Sequence, residues 1–190
     1  MSKNAIILHG TPYKEEYYSE KYPSASNSHW IPWLQKQLLI KDIQTVTPEM
    51  FRSYDPDYEL WKSEFEKNEI DKETILVGHS SGAGFIIRWL SENQNVIVNK
   101  VILVAPWLDP DNRKNNPFFD FEIDSNLISR TNKFLVFHST NDHREMQDSL
   151  EIIKNEIKNV NVRFFENYGH FCFSDLKTDA FPELLEEILN

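Results

Sequence analysis

The sequence predicts an α/β fold: a three-layer sandwich in which a mainly parallel six-stranded sheet, in the order 2-1-3-4-5-6, carries helices on both faces. Three observations lead to the layered architecture, and the strand order is the one that would set the loops after the first and third strands beside a ligand crevice. Short aliphatic or β-branched runs alternate with longer segments whose apolar residues recur every three or four positions, the pattern of strands joined by crossover helices. The inner runs are continuously apolar, as strands covered on both faces must be. The 190 residues, 40 % hydrophobic and 13 % aromatic, can fill the core of one domain spanning 1–190, and no repeat, charge block or linker divides them.

The strand candidates are Asn4–Leu8 (NAIIL), 43–46 (IQTV), 74–77 (TILV), 100–104 (KVILV), 134–137 (FLVF) and 160–165 (VNVRFF). The last alternates in polarity and belongs at an edge, whereas 74–77 belongs inside. Helical spacing marks 31–39, 58–68, 83–92, 144–158 and Pro182–Leu189. Right-handed crossovers between these elements leave few topologies. Two long connections, 11–29 and 106–124, break the alternation and are read as functional loops. Their aromatic residues Tyr13, Tyr17, Tyr18, Trp107, Phe118, Phe119 and Phe121 either line an apolar pocket or pack over the sheet edges.

A formal net charge of −10 opposes binding to nucleic acid or to an anionic membrane surface, since both present negative charge. The single cysteine, Cys172, allows no internal disulfide and no thiolate metal cage. No signal-peptide core or membrane-length apolar run is read in the chain, so the expected setting is cytoplasmic.

Glycine is sparse: five residues, three of them at 78, 82 and 84. Gly78-His79-Ser80-Ser81-Gly82 matches G-x-S-x-G between a strand and a helix. In that turn the central serine stands on a strained reversal, and side chains two positions away on either side would strike the helix and the neighbouring strand. Gly84 is expected to let the helix approach the sheet. A phosphate-cradling loop is the competing reading, but no lysine follows in the P-loop position and the spacing is not G-x-G-x-x-G.

Ser80 as nucleophile needs a base, and the base needs an acid to orient it. In a parallel sheet such partners arise in loops after later strands, at the carboxyl edge. The loop after the fifth strand offers Asp142, and that after the sixth offers His170 behind Gly169. Asp109, Asp111 and Asp120 follow the fourth strand and are weaker acid candidates. His9, His29, His79, His138 and His143 occupy positions that suit structural or solvated roles. No histidine pair has metal-ligand spacing, so neither metal nor organic cofactor is expected. Backbone N–H groups of Thr11 and Ser81 are the candidate oxyanion donors, Pro12 having none to offer. On this reading Ser80 supplies a hydroxyl while Ser81 supplies only an N–H, which most residues could provide.

The segments TILVGHSSGA (74–83), VILVAPW (101–107), FHSTND (137–142), NYGHF (167–171), HWIPWLQKQL (29–38) and DKET (71–74) together resemble the α/β-hydrolase superfamily. The resemblance is closest to its small members without a cap domain, such as retinoblastoma-binding protein nine and the YdeN-like bacterial hydrolases. It implies serine-hydrolase chemistry on small ester, amide or thioester substrates, with Ser80, Asp142 and His170 in the triad positions. Three departures stand out. Asn141 occupies a position that is often a second Asp, and His-Arg-Glu-Met follows Asp142 where proline is common, which bears on the rigidity of that loop. The loop after the first strand is longer and richer in tyrosine than the family's glycine-rich version. An interaction module that keeps the hydrolase fold without turnover is the alternative in a different functional class.

Overall fold

The computed structural model describes residues 3–112 and 116–190. Six strands, β1 (Asn4–Leu8), β2 (Gln44–Val46), β3 (Thr74–His79), β4 (Val98–Val104), β5 (Thr131–Ser139) and β6 (Asn161–Phe165), form one sheet in the order β2-β1-β3-β4-β5-β6. Every neighbouring pair is parallel. The polarity-alternating β6 is an edge and β3 is interior, as expected.

Alternate residues of each strand feed two separate cores. Ile6, Leu8, Leu76, Val101, Leu103 and Val136 meet α3 (Tyr58–Phe65), α4 (Ser81–Glu92) and most of the buried face of α5 (Arg144–Glu156). Ala5, Ile7, Val77, Ile102 and Phe137 meet α2 (Ile31–Ile40) and α7 (Pro182–Leu189). This is the period-two geometry of a strand serving two helical layers.

Element ends shift where backbone hydrogen bonding, not apolarity, decides. β5 begins before its apolar run, because Lys133 pairs in register with Lys100. Their ammonium groups reach over the end of α7 and donate to the carbonyls of Glu187 (2.9 Å) and Ile188 (2.7 Å), satisfying the free acceptors of a helix terminus with positive charge. α3 stops at Phe65 rather than at residue 68; the Asn68 amide takes the Phe65 carbonyl at 2.9 Å. Two single-turn helices, α1 (Lys14–Tyr17) and α6 (Phe173–Leu176), lie in loops and are too short to show a periodic pattern.

The aromatic residues described within 106–124 serve mainly as packing. Phe118 is fully buried, 5.0 Å from the Trp61 ring and 6.2 Å from Phe85. The Arg88 guanidinium lies 3.6 Å from the Tyr58 ring and donates to the Phe118 carbonyl at 2.9 Å. Of the aromatics in question here, Trp107 alone from this loop reaches the cleft described below, whereas Tyr13 and Tyr17 from the first loop both line it. Among the described residues no helix is long and apolar enough to cross a membrane.

Candidate active site

The turn from β3 into α4 places Ser80 at φ 54° and ψ −120°, a region that a residue with a side chain occupies only when its surroundings force it. The forcing contacts are visible. The Ser80 N–H donates to the Val104 carbonyl at 2.9 Å, and the Ser80 carbonyl accepts from Trp107 at 3.2 Å and from Ala83 and Gly84 at the start of α4. A methyl group at Gly78 would stand 2.6 Å from the Ala83 backbone, and one at Gly82 would stand 2.4 Å from the His9 carbonyl. Both glycines are therefore required sterically, one by the helix and the other by the chain leaving β1. Gly84 differs from its expected role: its missing Cβ makes room for the Trp107 carbonyl at 2.3 Å, so it accommodates the segment after β4 and not the sheet itself.

Asp142 and His170 meet across two loops at the carboxyl edge. His170 Nδ1 lies 3.0 Å from Asp142 Oδ2 and 3.2 Å from Oδ1. A carboxylate only accepts, so Nδ1 carries a proton, and in the neutral imidazole Nε2 keeps its lone pair. The Asp142 side chain is fully buried and also accepts from the His143 N–H at 2.7 Å. Asp109, Asp111 and Asp120, the other acid candidates, make no such contact with His170 among the described residues.

The histidine loop is pinned at both of the His170 backbone polar groups. Asp175 Oδ2 accepts from the His170 N–H (3.0 Å) and from the Cys172 N–H (3.2 Å), while His79 Nε2 donates to the His170 carbonyl at 2.8 Å. Gly169 has φ +50°, and a Cβ there would lie 2.5 Å from the Asp175 carboxyl. Burial, followed by the charge His170 and His29 would carry, holds the His79 imidazole well below the ordinary histidine pKa, so it stays neutral. His79 and Asp175 carried no sequence signal for this work. Their partner is a backbone group about ninety and five positions away, respectively.

The departure at Asn141 also gains an explanation. Its Oδ1 accepts from Ser139 Oγ (2.7 Å) and from the Gly169 N–H (3.0 Å), and Ser139 Oγ in turn accepts from the Tyr168 N–H at 3.1 Å. These bonds tie the acid loop to the histidine loop directly, a rigidity achieved here without proline.

Ser80, His170, Thr11 and Ser81 all border one cleft of about 1690 Å³, together with Tyr13, Tyr17 and Trp107. Among the described residues no hydrogen bond joins the Ser80 hydroxyl to His170, and none engages the backbone N–H of Thr11 or Ser81. The chain before Thr11 runs against the serine: a Cβ on Gly10 would lie 2.9 Å from Ser80 Cβ. The side chain of Ser81 has a bond of its own, to the hydroxyl of Thr11. Cys172 borders the same cleft, but burial and the nearby carboxylates of Asp175, Asp142 and Glu16 push its thiol up to about 12, which leaves it protonated and weakly nucleophilic at neutral pH.

The His9 imidazole braces the loop after β1. Its Nε2 accepts from the Met50 N–H at 3.0 Å, so Nδ1 carries the proton and donates to the Gly10 carbonyl at 2.7 Å.

Known proteins share this fold. Over 96 residues, half of the chain, the sequence is 31 % identical to YdeN of Bacillus subtilis (strain 168), a stretch that spans 45 % of that relative's length. The crystal structure of the B. subtilis ydeN gene product superposes with a TM-score of 0.81 at 24 % identity, covering 99 % of this chain and 97 % of that one. Est1E from Butyrivibrio proteoclasticus, solved with ferulic acid bound, gives 0.66 at 15 % identity over 98 % of this chain and 88 % of its own. The fold is that of the α/β hydrolases. The family model described as serine hydrolase matches residues 21–174, most of the chain, and the protein belongs to that serine hydrolase family.

Proposed function

We propose that the protein hydrolyses small carboxylic esters, or related amides and thioesters, through an acyl-enzyme on Ser80. The observation that carries this reading is the Asp142–His170 hydrogen bond at 3.0 Å, set beside a serine in strained backbone geometry on the same cleft. The bond leaves His170 Nε2 as the acceptor. Ser80 and His170 border the same cleft, and a serine–histidine hydrogen bond of this kind commonly tightens only when substrate binds.

In the reaction Ser80 Oγ attacks the carbonyl carbon while its proton passes to His170 Nε2, and Asp142, staying ionised, stabilises the imidazolium. The uncommitted N–H groups of Thr11 and Ser81 receive the negative charge on the former carbonyl oxygen. The tetrahedral species collapses, the alcohol leaves with the proton from Nε2, and a water repeats the sequence to free the acid and regenerate Ser80. Tyr13, Tyr17 and Tyr22 of the first loop, with Trp107, give the cleft an aromatic wall for the acyl or alcohol group. The single cysteine supports a reducing, cytoplasmic setting for this activity.

Labelling with a fluorophosphonate probe tests the reading. The wild-type protein should be modified on Ser80 and Ser80→Ala should not; equal labelling of both, or none of either, overturns it. A series of p-nitrophenyl esters of increasing acyl length then separates a short-chain esterase from a fold retained for binding alone.

A further inference from the structure

Two hydroxyl groups meet beside the candidate nucleophile. Thr11 Oγ1 and Ser81 Oγ share one short hydrogen bond that joins the loop after β1 to the first residue of α4. Each hydroxyl carries one proton, so the pair holds two protons for a single bond. Which proton is spare follows from burial. Ser81 is fully buried, and Thr11 Oγ1 is the partner of its hydroxyl; were Ser81 the acceptor, its own proton would be enclosed with nowhere to go, an arrangement folded proteins avoid. Ser81 therefore donates. Thr11, which is only partly buried and borders the cleft, keeps a free O–H there, directly after a glycine that touches Ser80.

We propose that the Thr11 hydroxyl is a third hydrogen-bond donor to the acyl oxygen of the substrate, aimed by the buried hydroxyl of Ser81. The proposal rests on the serine-hydrolase reading above and goes beyond its two backbone donors. It makes Thr11 a catalytic residue through its side chain and Ser81 a positioning residue through its own. A donor that strengthens only as negative charge develops lowers the barrier without tightening substrate binding, so its loss falls on kcat and spares KM.

The test is steady-state hydrolysis of p-nitrophenyl acetate by the full chain, with thermal melting of each variant as a control for folding. Thr11→Val keeps the shape and the backbone N–H and removes the hydroxyl, both as donor to the substrate and as acceptor for Ser81. Its kcat should fall about tenfold or more, with KM within about twofold of wild type. Thr11→Ser should recover most of that loss. Ser81→Ala should reduce kcat by a smaller factor, and the Thr11→Val/Ser81→Ala double variant should be no slower than Thr11→Val, because Ser81 has nothing left to aim. If Thr11→Val does not fold, Thr11→Ser against Thr11→Ala makes the same comparison.

A Thr11→Val kcat within about twofold of wild type overturns the proposal, as does a loss that serine fails to recover. Wild-type kcat in Ser81→Ala, or losses that multiply in the double variant, overturn the role of Ser81. Failure of the underlying reading looks different: wild-type protein would then escape fluorophosphonate labelling altogether, whereas labelled, active wild type with an indifferent Thr11 sinks this inference alone.

Discussion

The Nε2–H of His79 donates to the carbonyl oxygen of His170 across 2.8 Å, and the two imidazole rings lie 5.0 Å apart at 37°. The residue just before the candidate nucleophile thus holds the backbone of the candidate base. His79→Leu, which keeps bulk and removes the donor, should lower kcat about tenfold by letting His170 drift from its line to Ser80. His79→Gln retains an N–H and should recover part of the loss. A drop confined to KM, or no drop, would contradict a positioning role.

The proposed chemistry makes Ser80→Ala and His170→Ala each lose turnover by roughly four orders of magnitude or more. Asp142→Asn should lose roughly as much, because an amide at that position donates to Nδ1 and forces the proton onto Nε2, the nitrogen that must accept it from serine. Ester hydrolysis by folded protein, checked by circular dichroism, measures all three. Activity within tenfold of wild type for Asp142→Asn would point to another acid.

Stability should fall on mild acidification. Burial lowers the pKa of His79 and His9 in the folded state, whereas in the unfolded chain both titrate near 6.5. Below that pH the unfolded chain binds more protons, so stability is fully present above about 6.5 and declines as pH drops, by up to about 1.4 kcal/mol per pH unit for each neutral buried histidine. Urea unfolding at pH 7.5 and 5.5 should show the decline, and His79→Gln should make it shallower. A stability that rises on acidification would refute the sign.

Cys172 should resist thiol reagents in the native protein. Its thiol is pushed up to about 12 and is partly buried, so thiolate is scarce at pH 8. Ellman's reagent should react quickly only after denaturation, and Cys172→Ser should retain the wild-type response to the fluorophosphonate probe.

Gly82→Ala should destabilise the protein by about 3 kcal/mol, near the upper end for overpacking, because the added methyl would meet backbone oxygens of Leu8 and His9 that have no room to retreat. Chemical denaturation measures the loss, and a change below about 0.5 kcal/mol would mean that β1 and α4 can separate at little cost.

Much of the frame was legible in the chain because its causes are local. Continuous apolar runs such as Val101–Val104 can be read without coordinates, and so can the G-x-S-x-G turn, whose glycines answer to atoms a few residues or one strand away. The order of Ser80, Asp142 and His170 follows from the loops that a parallel sheet gathers at one edge. Asp142 and His170 were consequently nameable as partners before their hydrogen bond was seen. The division of the aromatic residues was not. Phe118 and Trp107 lie in the same loop, but the first fills the core beside Trp61 and the second borders the cleft.

By itself, then, the sequence determined the layered α/β architecture and named the candidate nucleophile, acid and base, since periodicity and turn sterics act over short stretches of chain; the expected strand order was borne out only by the pairing of strands far apart in the chain. Only the tertiary structure decided what supports them: His79 and Asp175 on the backbone of His170, Asn141 between two loops, and the hydroxyl of Ser81 against that of Thr11. Each of these is a hydrogen bond to a specific atom, several to groups brought near only by the fold. Hydrogen bonds impose no period on the sequence, and their partners exist only once the sheet has set its loops side by side.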